Sequence, residues 1–221
     1  ATGRSLVEIL GDHPDFPVRF LLKSLAGILV GGEELERIIG GSAAVNRAVY
    51  LLGLFVACGY LAAFWLNIRL KLYEKTIFPL MLLVSGCMNH VLIFLSRYIF
   101  ERENYGMSSR YALQFQVGIL GIVLTFALAA RAKEGVGRLG RTAIALFCLA
   151  ILAGNGYTTY CELKKAPHRE ENFEKMVRLA PHIDELSDED LAIYEYNKGR
   201  DKIEQAFRIL EENHLNVFRD R

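Results

Sequence analysis

The sequence predicts an all-α, polytopic transmembrane helix bundle followed by a small helical extramembrane tail, and three observations predict it. The first is four stretches free of Asp, Glu, Lys and Arg: Ala48–Ile68, Thr76–Ser96, Tyr111–Ala130 and Thr142–Cys161. Each holds 20 or 21 residues, the length an α-helix needs to cross roughly 30 Å of hydrocarbon. The second is composition: 52% of the 221 residues are apolar and the mean hydropathy is +0.21. A soluble domain of this size has no core that would need four such runs, so an ordinary water-soluble enzyme is excluded. The third is charge: residues 1–160 carry 15 basic and 10 acidic side chains, residues 161–221 carry 11 and 15. A mildly basic membrane block (1–161) therefore precedes a mildly acidic, water-facing tail (162–221).

Residues 1–17 are polar, with Asp12-His13-Pro14-Asp15 and Pro17, which reads as a turn-rich entry. Val18–Val30 is apolar apart from Arg19 and Lys23, and Gly31-Gly32 ends it. It is too short to span comfortably, so it predicts an interfacial or re-entrant helix, or a short span whose basic residues snorkel. The polar stretch to Arg47, with Gly40-Gly41, leads into the first span, 48–68, which carries Trp65 near its end and Arg69, Lys71 and Lys75 beyond it. Aromatic and basic residues there are interface anchors, and this span reads as an anchor. Spans 76–96, 111–130 and 142–161 follow.

The 69–75 loop holds three basic residues, and the loop after the third span holds Arg131, Lys133, Arg138 and Arg141. Short basic loops stay in the cytoplasm. This places the 97–111 loop and the tail on the extracytoplasmic side of a multi-pass cell-membrane protein. In the tail, Phe173, Met176, Val177 and Ala180 fall at helical spacing, as do Ile203, Ala206, Phe207 and Leu210. Ser187 with Asp190 resembles a capping-box start for a short helix through Tyr194.

Candidate functional residues follow from the cost of polar groups in hydrocarbon. Asn89 and His90 lie mid-span, and helical spacing puts His90, Arg97 and Glu101 on one face. The alternative is that His90 bonds to a neighbouring helix. The densest cluster is Arg97, Glu101, Arg102, Glu103, Tyr105, Arg110 and Tyr111. Guanidinium forks match phosphate oxygens, so Arg97, Arg102 and Arg110, with Tyr111, are candidate phosphate or lipid contacts. Glu101 and Glu103 are the candidate carboxylates for proton transfer or sugar hydroxyls. A short loop between spans also needs polar residues for solvation alone. Gln114 and Gln116 enter the third span on different sides, and Asn155, Thr158 and Thr159 sit near the end of the fourth.

Other signals carry no chemistry. Gly135–Gly140 fits GxGxxG, but it lies between two spans rather than in a βαβ unit. His168, His182 and the acids at 184–190 lack metal-ligand spacing. Cys58, Cys87, Cys148 and Cys161 form no CxxC pair, so neither a metal nor a cofactor is expected. The absence of a basic stripe with interleaved aromatics argues against nucleic acid.

The order of these features resembles a known group of proteins. His13-Pro14 precedes a half-hydrophobic helix. A loop then reads Arg102-Glu103-Asn104-Tyr105-Gly106-Met107-Ser108-Ser109-Arg110-Tyr111, and the tail ends in His214-Leu215-Asn216-Val217-Phe218. This is similar to the carboxy-terminal portion of large bacterial polytopic membrane proteins that look like lipid-linked-sugar (GT-C-like) glycosyltransferases. In those, a Gly-x-x-x-Ser-Arg-Tyr element opens a transmembrane helix, and Gly106, Ser109, Arg110 and Tyr111 match it with shifted spacing. The resemblance implies a fragment of a larger envelope protein and a polyprenyl-phosphate-linked glycan as ligand, alongside membrane lipids. It supplies no catalytic residue, because the expected carboxylate belongs to an amino-terminal half. A non-catalytic subunit whose 162–221 tail docks a partner protein is the alternative, and a small transporter with His90 in its path a further one.

Overall fold

The computed structural model describes residues 4–31, 34, 42–132, 136–191, 193–194 and 199–219. Gly32, Gly40, Gly41, Lys133 and Gly135 lie outside the described residues. The described residues contain helices and no strand. Four helical segments are long and apolar enough to cross a membrane: Ala44–Arg69, Phe78–Phe100, Ala112–Arg131 and Arg138–Glu185. The protein is an all-α, multi-pass membrane protein. It divides into two compact units, Ala1–Thr159 and Tyr160–Arg221.

In order, the helices are α1 (Leu6–Asp12), α2 (Phe16–Ala26), α3 (Ser42–Arg69), the single turn α4 (Leu72–Lys75), α5 (Phe78–Arg97), α6 (Ala112–Arg131), α7 (Arg138–Leu179), α8 (Asp188–Leu191) and α9 (Arg200–Glu212). The division between the units falls inside α7. Lipid tails are as apolar as leucine, so membrane helices associate by close packing rather than by burial from water. The α5–α6 pair shows this. A Cβ on Gly121 would lie 2.7 Å from the Leu83 backbone nitrogen, and Gly86 and Gly118 face each other with no room for a side chain. Around that seam lie Leu83, Phe115, Ile119, Ile122 and Phe126, all buried.

The fourth span adds Phe147, stacked on Phe55 at 4.9 Å and edge-on to Phe126 at 5.5 Å. Only 11% of its apolar window is buried, against 33–44% in the others, so it sits at the margin of the bundle. Two side-chain pairs tie spans together. Asn67 Nδ2 donates to Thr125 Oγ1 (2.9 Å), and Gln116 Nε2 donates to Asn155 Oδ1 (2.7 Å). The first span is thus more than an anchor: Asn67 and Tyr60 bring polar groups into its buried face.

The amino-terminal region departs from expectation. Residues 6–12 form a helix where the prolines suggest only turns. Ser5 and Glu8 close a reciprocal capping box at 3.3 and 2.8 Å, and this offsets the low propensity of so short a segment. Its helix ends at Asp12, before Pro14. The next helix starts at Phe16 with Pro17 in its first turn and ends at Ala26 rather than reaching Val30.

Nor does Lys23 snorkel, although Arg19 stays partly exposed. Phe20, Ser24 and Ala26 are fully buried and Lys23 is 5% exposed. The α2 backbone presses against α3, where a Cβ on Gly53 would collide with the Leu22 carbonyl, and against Gly106, while the Leu29 backbone beyond its end presses against Gly154. Past its end, the Ile28 carbonyl accepts from Gln116 Nε2 at 3.3 Å and the Gly31 N–H donates to Thr158 Oγ1 at 3.4 Å. Segment 16–31 therefore touches all four spans. Irregular backbone of this kind survives beside a membrane only when protein groups satisfy it.

In the second unit, α7 continues past Cys161, where the uncharged run ends, to Leu179, with Pro167 inside it. The 173–180 periodicity belongs to this helix and not to a separate one. Ile183, Leu191 and Ile203 make a small core, flanked by the Tyr194 and Phe207 rings at 4.8 Å. Tyr194 Oη donates to the Met176 carbonyl at 2.6 Å. Ser187 caps the Asp190 N–H at 3.2 Å, although α8 stops at Leu191.

Lys175 Nζ, 3.1 Å from Asp190, holds that carboxyl below its ordinary range, with Ser187 assisting. A carboxyl with a depressed folded value stabilises the unit at neutral pH, and that contribution is lost as pH falls through the folded value. An NMR pH titration of the full chain should place the Asp190 midpoint below 3.8 and return it upward in Lys175→Met. Equal midpoints in the two proteins would refute the pairing.

Candidate functional site

Helix α5 ends at Arg97, and the chain reverses through three short 3-10 turns, Tyr98–Phe100, Glu103–Met107 and Ser109–Tyr111, before α6. Glu101 joins the first two with φ +49°, a left-handed conformation unfavourable for a residue with a Cβ. Glu101 thus leaves the helix and does not share the His90–Arg97 face. The side chain goes instead to the segment before α1, where Oε2 accepts from Arg4 Nη1 at 3.2 Å. Arg4 also pairs with Asp12.

Glu103 is the hub of the loop. Its Oε2 lies 3.0 Å from Lys23 Nζ and accepts from Tyr50 Oη at 3.0 Å, while its Oε1 lies 3.2 Å from Arg19 Nε. Lys23 Nζ also donates to Asn104 Oδ1 at 2.7 Å, and Arg19 pairs with Asp15 at 3.0 Å. Two apolar-segment cations one helical turn apart, α2's Arg19 and Lys23, thereby find one carboxylate from the loop. Both carboxylate oxygens are taken, so Glu103 fastens the loop and is not a free base. Nothing local in the sequence marks Arg4, Arg19, Lys23 and Tyr50 as members of one network, since they come from separate segments. The available signal was an i, i+4 pair of cations inside an otherwise apolar helix, which calls for a nearby acid.

The three arginines are placed differently from one another. Arg97 lies between rings, 5.8 Å from the Phe100 centroid and 5.6 Å from Tyr111, with its Nε buried. This cation–π arrangement also fixes Tyr111, whose ring lies 6.3 Å from that of Phe115. Arg102 and Arg110 are exposed and make no ion pair among the described residues. They stand at either side of the Glu103–Met107 turn in the chain, on a loop whose own acids are already neutralised. What the arrangement offers chemically is two exposed guanidinium groups without a carboxylate partner among the described residues.

The intramembrane candidates separate. His90 is 4% exposed and its Nδ1 lies 2.8 Å from Ser24 Oγ, so it bonds to a neighbouring helix. Asn89 Nδ2 donates to the Gln114 backbone carbonyl at 3.0 Å, while the Gln114 side chain is exposed. Gln116, on the other side, is the one that enters the bundle and meets Asn155. No group of three His, Cys, Asp or Glu suited to a metal ion occurs among the described residues, and Cys58, Cys87, Cys148 and Cys161 form no disulfide. Comparison with protein-family models, with curated proteins and with solved structures finds no match to this chain.

Proposed function

We propose that this multi-pass protein belongs to the bacterial cell envelope and binds a phosphate-bearing lipid, a polyprenyl-phosphate-linked glycan, at its 97–111 loop. Arg102 and Arg110 contact the phosphate. Arg97 and Tyr111 buttress the start of α6, and Glu103 holds the loop to α2. The observation that carries the reading is the pair of exposed arginines on a loop whose carboxylates are spent on Arg4, Arg19 and Lys23. The loop faces the extracytoplasmic side, because Arg69, Lys71, Lys75, Arg131, Arg138 and Arg141 all belong to the connections at the opposite end. Transfer of the glycan, in the manner of lipid-linked-sugar transferases, would need a carboxylate from elsewhere, since neither Glu101 nor Glu103 is free of a cation.

The test is binding of polyprenyl phosphate to the protein in nanodiscs of neutral lipid. Each charge-assisted contact to phosphate contributes about 1.5–3 kcal/mol, so Arg102→Gln and Arg110→Gln should each weaken binding roughly tenfold or more. Unchanged affinity in the double variant would refute the site.

A second reading has one observation in its favour. Along α7 a shallow groove runs past Ala166, Phe173 and Val177, with Phe173 63% and Val177 56% exposed in the water-facing unit. Such a face suits docking of a protein partner, the role of a non-catalytic subunit. Co-purification of a defined partner that is lost in Phe173→Ser, with no polyprenyl phosphate binding in wild type, would favour it.

A further inference from the structure

Tyr60 of α3 is buried, 5% exposed, and its phenol oxygen has no hydrogen-bond partner among the described residues. The helices opposite nevertheless clear a place for that oxygen. A Cβ on Gly118 would fall onto it, and one on Gly86 would come within 2.6 Å of it. Two facing helices are bare where a hydroxyl ends, although a phenylalanine would fill the rest of the site. Burying a hydroxyl without a partner costs free energy, so the arrangement calls for a polar group to receive it.

The second unpartnered atom is on the ring beside it. His90 stacks on Phe115 at 4.0 Å and meets the Tyr60 ring edge-on, with centroids 6.2 Å apart. Its Nε2 is buried and without a partner among the described residues. Its Nδ1 lies 2.8 Å from Ser24 Oγ, which is 2.9 Å from the Leu21 carbonyl. A serine has one hydroxyl proton and a carbonyl only accepts. Ser24 therefore donates to Leu21 and accepts from His90 Nδ1–H, which leaves Nε2 as a bare acceptor. A donor and an acceptor, both buried and both unmatched, occupy adjoining rings about 10 Å from the Arg97 end of α5.

We propose that one water molecule is bound between Tyr60 Oη and His90 Nε2. It accepts the Tyr60 proton and donates to Nε2, completing a single directed chain: Tyr60 to water, water to His90, His90 to Ser24, Ser24 to the Leu21 carbonyl. The Tyr60, His90 and Ser24 donors then each have an acceptor, and the water has the two polar partners that a buried site requires. The chain joins α3, α5 and α2 across the bare face of α6. It is independent of the loop arginines and of any lipid ligand.

The full chain in lipid bilayers, labelled with ¹³C and ¹⁵N at histidine, tests this by water-edited solid-state NMR. The His90 signals are identified by their loss in His90→Gln. The expected result is an Nδ1–H ring that receives magnetisation rapidly from water, with that transfer lost in Tyr60→Phe while the Nδ1–H form persists. A Gly118→Ala variant, whose methyl takes the place of the hydroxyl, should also lose it. No transfer in the wild type, or transfer unchanged in Tyr60→Phe or Gly118→Ala, would overturn the proposal.

Discussion

Glu103→Gln is expected to destabilise the bundle by about 3–5 kcal/mol, the cost of leaving a buried charge without its partner. The amide still bonds to Tyr50, so the loss isolates the charge. Lys23 is 5% exposed, with Glu103 as its carboxylate neighbour at 3.0 Å, whereas Arg19 keeps Asp15 as a second partner. Because replacing both members of a buried pair with apolar groups is often nearly neutral, Lys23→Met combined with Glu103→Gln should recover much of the loss. Chemical denaturation in mixed micelles measures both. A cost below about 1 kcal/mol, typical of a surface pair, would show that the network is solvated and that the loop is not fastened by it.

Gly53→Ala should have the next largest effect. The new methyl would enter the Leu22 backbone rather than a flexible side chain, so relief requires α2 to move as a body. Overpacking costs about 1–3 kcal/mol, and a rigid neighbour puts this case near the upper value. Displacement of α2 would also pull Ser24 from His90 and Lys23 from Glu103, contacts of 2.8 and 3.0 Å. Gly156→Ala is the control, since a Cβ there meets nothing within 4 Å. Equal melting temperatures for the two variants would contradict the close approach of α2 to α3.

These two residues mark where the sequence was readable and where it was not. The spans could be located because the bilayer demands some twenty apolar residues in a row, a requirement that acts locally along the chain. Helix α7 outran its uncharged stretch because water permits a helix to continue where hydrocarbon ends, and nothing between Cys161 and Leu179 forbids it except Pro167. The crowding of cations and carboxylates at 97–111 was also visible. The pairing was not, because Glu103 meets Lys23 and Tyr50 across 80 and 53 residues of chain, and helical spacing reports only on neighbours within a few turns. The expectation that His90, Arg97 and Glu101 share a face failed for a local reason: the helix stops at Arg97, and Glu101 turns into the left-handed region. Gly53, Gly86 and Gly118 are likewise silent in sequence, since close backbone approach needs a second helix to define it.

The arrangement as a whole places the 97–111 loop on one face of the membrane and the Arg69–Lys75 connection on the other. Thiol labelling from either side of sealed vesicles tests it most directly, in a background with Cys58, Cys87, Cys148 and Cys161 changed to Ser or Ala. Arg102→Cys should react with an impermeant maleimide added on the extracytoplasmic side, and Lys71→Cys only when the reagent is on the cytoplasmic side. Labelling of both positions from the same side would contradict it.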